Sequence, residues 1–297
     1  MQIVVAGGTG FLGTALVARL RRDGHAVTVL TRHPRGAHQF QWSPYGPSSD
    51  WVHVLEDADA LINLAGAPIA MRWTAAHKRE MWNSRLLSTR TLVAATKSVR
   101  RGPAILINAS AVGTYGDRGD EMLTEDSTAG SGFLASMGEA WEKETRSAPP
   151  QTRVVLLRTG IVLGKDGGAL PRMALPFRFF AGGPLGSGQQ YVSWIHRDDW
   201  TAMVSWALTA DAVSGPLNVT APHPVTNLQF VRTLGRVLRR PAVLPAPAFA
   251  LRAVLGEMAD VIVTGQQVLP AKAHAFGFEF THPDLEGALR SIFDGRH

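Results

Sequence analysis

Residues 2–31 pack a strand, a glycine turn, a helix and a second strand into thirty positions. No other feature restricts the possible folds of this chain so tightly. Residues 2–6 (QIVVA) form a short apolar run of the kind buried in a parallel sheet. Gly7-Gly8-Thr9-Gly10-Phe11-Leu12-Gly13 follows at once. Leu12, Ala15, Leu16, Arg19 and Leu20 then recur at helical spacing until Gly24, a C-terminal cap. A second apolar run over 26–31 completes a βαβ unit. A Gly-x-x-Gly-x-x-Gly string alone is weak evidence, but here it leaves a strand and opens a helix, the context that gives it meaning. In that context Gly7 permits the tight turn, Gly10 lets the backbone approach a pyrophosphate, and Gly13 lets helix and strand pack closely. Thr9, Phe11 and Leu12 complete the loop. The free N–H groups and positive dipole end of the helix face the phosphates.

The same alternation continues. Residues 60–64, 104–109 and 154–157 read as strands, and 74–99 (broken once) and 132–146 as helices. Strands alternating with helices predict a doubly wound parallel α/β sheet of Rossmann type. The stretch from 31 to 59 holds Pro34, Pro44 and Pro47, which predicts one irregular crossover. After Gly164 the rhythm shortens. Glycines crowd 167–168, 182–183 and 186–188; a strand near 191–195, a helix over 198–208 and a strand over 217–220 follow. Thr226 caps a helix reaching Arg239, and 275–280 reads as a terminal strand. The expected organisation is a dinucleotide-binding Rossmann domain over 1–165, its sheet completed by later strands to about 220. A smaller mixed segment over 166–297 covers a cleft, with the glycines of 182–188 in its lining.

Composition removes several function classes. Hydrophobic residues make up 45% of the 297 and charged residues 18%, which excludes a disordered chain. The absence of cysteine excludes a disulfide scaffold, a cysteine nucleophile and thiolate metal sites. The formal charge is +6, yet only five of the 30 basic residues are lysine and the arginines are scattered as helix-face pairs and triplets. A nucleic-acid footprint concentrates its charge more, so no nucleic-acid partner is expected. No apolar run approaches the ~20 residues of a membrane span, and no basic leader precedes the first strand. A soluble, cytoplasmic protein with no membrane partner is expected.

Nicotinamide cofactors are sorted at the end of the second strand, where an NAD enzyme places an acid against the ribose 2′-hydroxyl. Here Thr31-Arg32-His33 stands, with no acid before Asp50. Arg32 is suited to a bidentate contact with a 2′-phosphate. The expected cofactor is NADP(H).

With these pieces in place the chain resembles the short-chain dehydrogenase/reductase superfamily, in its extended, epimerase-like branch. The matching residues are 7–13, Asn63-Leu64-Ala65-Gly66, the run 109–116 (ASAVGTYG), the run 158–164 (RTGIVLG) and the run 194–199 (WIHRDD). The last part of the chain is similar to the small domain of unknown function carried by an atypical subgroup, often called "epimerase family protein". The resemblance implies that Leu64, Ala65 and Gly66 line the ribose side of the cofactor and that Gly160 and Ile161 meet the nicotinamide. Ser110, at a strand end, can hydrogen-bond the cofactor or substrate or else satisfy backbone groups. By analogy with that superfamily the long helix over 74–99 would pair two copies in a homodimer.

The chain departs from that superfamily at its chemistry. Working members use a Tyr and a Lys four residues later, the tyrosine as general acid/base. Here Ser49, Gly119 and Ile195 stand four residues beyond the three tyrosines, so no Tyr-x-x-x-Lys exists. Residues 133–138 (FLASMG) occupy the expected place, and the helper hydroxyl position falls on Ala111, one past Ser110. Tyr115 and Ser110 are the candidate substitutes for the lost catalyst. Glu139 and Glu142 share the helix that normally carries the pair. Lys78 and Arg85 lie seven apart on one side of the long helix, and Arg85 could clamp an anionic substrate. His196 with Asp198 and Asp199 looks like part of a Ser-His-Asp triad, but in related families this stretch fixes the join between domains. The scattered histidines show no metal-ligand spacing, so no metal is expected. Two readings follow: an epimerase-like oxidoreductase of an unidentified small molecule, or a non-catalytic NADP(H)-binding sensor.

Overall fold

The computed structural model describes residues 1–45 and 50–295. Seven strands form one parallel sheet: β1 (Gln2–Ala6), β2 (Ala26–Thr31), β3 (Gln39–Gln41), β4 (Ala60–Asn63), β5 (Ile105–Ala111), β7 (Arg153–Thr159) and β11 (Gly215–Val219). Their order across the sheet is β11-β7-β5-β4-β1-β2-β3. The chain leaves β1 toward one edge, then returns and builds outward from β4 toward the other. The two directions part between β1 and β4, and a ligand crevice forms at the carboxyl ends of strands at such a point.

Both faces are covered, as the apolar strands require. On one face Ile3, Val5, Ile62, Ile107 and Val155 pack with Leu16 and Leu20 of α1 (Phe11–Arg22) and with Trp200, Met203 and Val204 of α5 (Arg197–Thr209). On the other, Val4, Ala6, Leu61 and Leu106 meet Leu92 and Val93 of α2 (Ala75–Ser98), together with Trp42, Trp51 and Leu55. α3 (Phe133–Glu144) joins α2 on that side. α2 is one unbroken helix, capped where the Thr74 hydroxyl accepts from His77 N, so the expected break does not occur. Gly24, at φ +84°, ends α1: the N–H of Gly24 bonds the Arg21 carbonyl and that of His25 the Leu20 carbonyl.

The remaining elements form a second core around α4 (Leu170–Arg178), α6 (Asn227–Leu238) and α10 (Leu285–Asp294). Thr226 and Gln229 close a reciprocal capping box on α6. Short strand pairs tie this part to the sheet domain: β8 (Ile161–Leu163) with β10 (Trp194–His196), β9 (Tyr191–Val192) with β12 (Val225–Thr226), and β6 (Met122–Leu123) with β13 (Gln267–Val268). The strand expected over 191–195 divides at Ser193, whose hydroxyl donates to Gln266 O and accepts from Val268 N. α7 (Ala248–Leu255) and α8 (Asp260–Val263) bury none of their residues.

Two sequence expectations fail here for physical reasons. Residues 275–280 are not a strand: α9 (Ala271–Ala275) ends there and Gly277 turns at φ +76°. The phenylalanines of this stretch pack as loop residues, Phe278 edge-on to Phe280 and against Trp206. The glycines at 182–183 do not line a cleft. They let residues 182–185 bridge to 242–246, and a Cβ on Gly183 would fall 2.0 Å from the Leu244 carbonyl oxygen.

Candidate functional site

The glycines of the first turn serve different masters. Gly7 adopts φ +80°, and a Cβ there would sit 2.8 Å from the backbone of Leu64. A Cβ on Gly13 would fall 2.3 Å from Gly7 O, so helix and turn touch only because it is absent. Gly10 is unlike both. Its nearest protein atom would be 3.6 Å away, an ordinary contact, so nothing in the protein demands glycine there. The position opens outward at the start of α1, where no side chain caps the helix and no acid sits in the first turn. The N-terminal N–H groups and the dipole end are therefore left for an anion. The residues present fit a dinucleotide pyrophosphate. Phe11 begins the helix enclosed by the 164–168 turn: Cβ atoms on Gly164, Gly167 or Gly168 would come within 3 Å of its ring. Leu12 packs partly buried against the core.

At the end of β2 the Thr31 hydroxyl lies 3.5 Å from that of Thr9 and accepts from His33 N. Arg32, His33 and Arg35 are all exposed beyond it. Arg32 makes no ion pair with an acid among the described residues. A site with cations and no carboxylate suits a phosphate ester rather than a bare ribose.

The strip 64–66 is held from below by a buried amide network. Asn63 and Asn108 stand opposite each other on β4 and β5. Asn63 Nδ2 donates to Asn108 Oδ1 at 2.8 Å and to Thr89 Oγ1 at 3.0 Å, and its Oδ1 accepts from Ala65 N. The Trp141 indole N–H donates to the same Thr89 hydroxyl. Every member has a partner, which is what allows such a network to fix one geometry. Ala67 N donates to Ser84 Oγ, binding the strip to α2. Beneath Gly66 lies the guanidinium of Arg85: a Cβ on Gly66 would be 3.3 Å from its Cζ.

Across the sheet, Gly160 is glycine because a Cβ would fall 2.4 Å from Ser193 O, and Ile161 N donates to that same carbonyl. These two residues hold the start of the second core against β7.

The region that carries the chemistry in related proteins is filled by a closed polar network. The Ser110 hydroxyl donates to Glu142 Oε1 at 2.6 Å. Arg158 grips the same carboxylate with two bonds, Nε to Oε1 at 2.9 Å and Nη2 to Oε2 at 2.8 Å. Arg158 Nη1 donates to the Tyr115 hydroxyl at 3.0 Å, and the Tyr115 proton is shared between Asn218 Oδ1 (2.7 Å) and Thr124 O (2.9 Å). Burial opposes the charge of Arg158, but the bonds and charge of Glu142 outweigh it and hold the guanidinium above its ordinary pKa. Burial pushes the Tyr115 phenol up, partly offset by Arg158 and Asn218.

This geometry corrects the sequence expectation for Tyr115. Its side chain is completely buried with Leu123 and Val268, and its hydroxyl is spent on protein partners. Glu139 and Glu142 also part company: Glu139 is exposed, whereas Glu142 turns inward to Arg158. The key partners Arg158 and Asn218 were missed. The available signal was a charged or amide residue inside an apolar strand, since such a group must meet a partner once buried. Gly138 lets α3 approach Thr114, where a Cβ would be 2.2 Å from the hydroxyl.

His196, Asp198 and Asp199 are structural. The buried Asp199 carboxylate accepts the N–H groups of Thr281 and His282, both at 2.8 Å. His196 Nδ1 accepts from Asp198 N, capping α5, and its Nε2 faces Ser291 Oγ at 3.3 Å. That serine donates its proton to Ala288 O. The polarity is the reverse of a triad, in which the histidine must accept from the serine. The fold also brings ligand atoms of His196, Asp198 and His282 within 4.8 Å of one another, a grouping that spacing along the chain could not reveal. Lys78 pairs with Glu257 at 2.6 Å over the ring of Phe133, joining α2 to the last segment.

Residues 246–292 match a domain of unknown function, DUF1731. The chain is 43% identical to "Epimerase family protein YfhF" of Bacillus subtilis, covering 100% of this chain and 99% of that one. It is 43% identical to the chloroplastic SDR39U1 homolog of Arabidopsis thaliana, over 98% of this chain and 86% of that one. The crystal structure of human epimerase family protein SDR39U1, solved with NADPH, superposes with a TM-score of 0.92 at 36% identity over the whole of both chains. Among the described residues no helix is long and apolar enough to cross a membrane. Residues 3–220, covering the βαβ unit, the amide-braced strip and all seven strands of the sheet, match the NAD-dependent epimerase/dehydratase family, and the chain belongs to it.

Proposed function

We propose that the protein is an NADP(H)-binding, epimerase-like oxidoreductase that exchanges hydride between the nicotinamide and a small molecule, in the cytoplasm. The observation that carries this reading is the outward-facing Gly10 at an uncapped helix start, with Arg32 exposed where an NAD enzyme needs an acid. The NADPH in the human relative supports it. In this reading Gly7, Thr9, Gly10, Phe11, Leu12 and Gly13 cradle the pyrophosphate, and Thr31 and Arg32 take the 2′-phosphate. Leu64, Ala65 and Gly66 flank the ribose, and Gly160 and Ile161 flank the nicotinamide. Ser110, its own proton committed to Glu142, offers lone pairs and can only accept a hydrogen bond.

Two titrations test the cofactor. Gly10→Val should abolish NADPH binding with the far-UV circular dichroism unchanged, because any Cβ there meets the pyrophosphate. Arg32→Asp should weaken NADPH by about 1.5–3 kcal/mol, the range for hydrogen bonds to charged groups, and leave NADH unchanged or improved. Equal affinity of the unmodified protein for NADPH and NADH would remove the assignment.

The closed network around Glu142 and Arg158 favours a second reading, a sensor whose partner reads cofactor occupancy. It leaves no free general acid of the usual kind. Turnover of carbonyl compounds, followed at the nicotinamide absorbance band, separates the two.

A further inference from the structure

Arg85 is the one buried cation of this fold whose charge the described protein leaves unanswered. Its side chain is 7% exposed. A single hydrogen bond is made, from Nη1 to the Met81 carbonyl one turn back at 3.0 Å. The buried Nε has no partner. No carboxylate pairs with it among the described residues; its other neighbour is the Trp141 ring, 5.2 Å from Cζ. A buried charge left without a counter-ion is costly, and the usual remedy is a paired acid.

Position explains the exception. The guanidinium lies directly under Gly66, just past the carboxyl end of β4 and beside the place where the strand order reverses. Glycine at 66 leaves that approach clear, since a Cβ would press on Cζ at 3.3 Å. The segment is braced from two sides, by Asn63 to Ala65 N and by Ser84 to Ala67 N. The cation is thus presented on a fixed frame at the crevice. Arginine is suited to this task because its planar fork meets two oxygens at once.

We propose that Arg85 is the receptor for an oxyanion, a carboxylate or phosphate brought into the crevice by a bound ligand. The proposal rests on the dinucleotide reading above. The oxyanion has two possible carriers, the pyrophosphate of the cofactor or an acidic group on the substrate.

The test uses the full chain, Arg85→Met and Arg85→Lys. NADPH is titrated by its fluorescence, and the melting temperature of each NADPH-saturated protein is followed against malonate and inorganic phosphate, with chloride holding ionic strength. If the substrate carries the anion, Arg85→Met binds NADPH within twofold of the unmodified protein. Malonate or phosphate then raises the melting temperature of the unmodified complex but not of Arg85→Met. If the cofactor carries it, Arg85→Met weakens NADPH at least tenfold, Arg85→Lys recovers part of the loss, and added anions do nothing to the saturated complexes. Arg85→Met matching the unmodified protein in both measurements overturns the proposal. Should Arg85→Met not fold, unchanged NADPH affinity in Arg85→Lys with no anion response in the unmodified complex overturns it equally. If the unmodified protein fails to bind NADPH, the dinucleotide reading falls. The anion titration on the free proteins then decides about Arg85 alone.

Discussion

The surroundings of Arg158 and of Arg85 make an informative pair. Both arginines are buried residues, each 7% exposed. Arg158 meets Glu142 in a two-bond fork, braces Tyr115 and is held above its ordinary pKa. Arg85 has one carbonyl and one ring, and burial alone pulls it down to about 10. A buried charge with its counter-ion in the protein belongs to the structure. One whose counter-ion is missing points to a ligand. The difference teaches that the cluster around Glu142 satisfies its own charges, while the cation under Gly66 does not have its charge answered by the described residues.

The largest effect should come from breaking the closed region. Arg158→Met leaves the Glu142 carboxylate buried and unanswered, and should cost about 3–5 kcal/mol in urea unfolding. A loss below about 1 kcal/mol would mean the network is solvated and the contrast with Arg85 is false. Arg85→Met should act in the opposite direction in the absence of ligand, raising stability by about 2 kcal/mol, because it removes a desolvated charge and keeps an apolar stem. The pH dependence sharpens this. Arg85 is lowered in the folded state, so between about pH 10 and its unfolded value the unfolded chain binds the extra proton. The penalty is complete below pH 10 and relieved above it. The stability advantage of Arg85→Met should therefore shrink as pH rises past about 10; no charged group among the described residues is paired with Arg85 to mask the trend. The smallest effect is expected for Tyr115→Phe, about 1–2 kcal/mol for a buried hydroxyl lost from the network, with NADPH affinity unchanged within twofold. A large loss of turnover in that variant would return Tyr115 to the chemistry.

How far the sequence could be read follows from where its information is local. The βαβ unit is set by neighbours within thirty residues, so the turn, the helix and its Gly24 cap are legible in a string. Gly10 shows what the motif adds: no protein contact demands glycine there, which leaves the proposed pyrophosphate contact as its reason. The Glu142–Arg158–Tyr115–Asn218 network spans two strands, a helix and the short 3-10 turn that holds Tyr115, and only the folded sheet assembles it. The burial of Tyr115 and the three partners of its hydroxyl could not be read along the chain for that reason. The terminal phenylalanines failed because alternation records burial on two sides, and a loop against a hydrophobic face can show the same alternation as a strand.

The order in which the sheet is assembled carries a consequence for the chain as it is made. β11 forms the outer edge beyond β7, but it leaves the ribosome only after the 55 residues between Thr159 and Gly215. At the usual 5–20 residues per second that is roughly 3–11 s. Throughout it the apolar run Val154-Val155-Leu156-Leu157 presents an unpaired edge, the feature that nucleates aggregation in nascent proteins. Arg153 and Arg158 bracket this run, one charge at each end. In the finished fold Arg153 is absorbed by the carbonyls of Ala207, Leu208 and Val213, and Arg158 by Glu142. Charges that flank an exposed apolar run in this way oppose edge-to-edge pairing of an incomplete sheet.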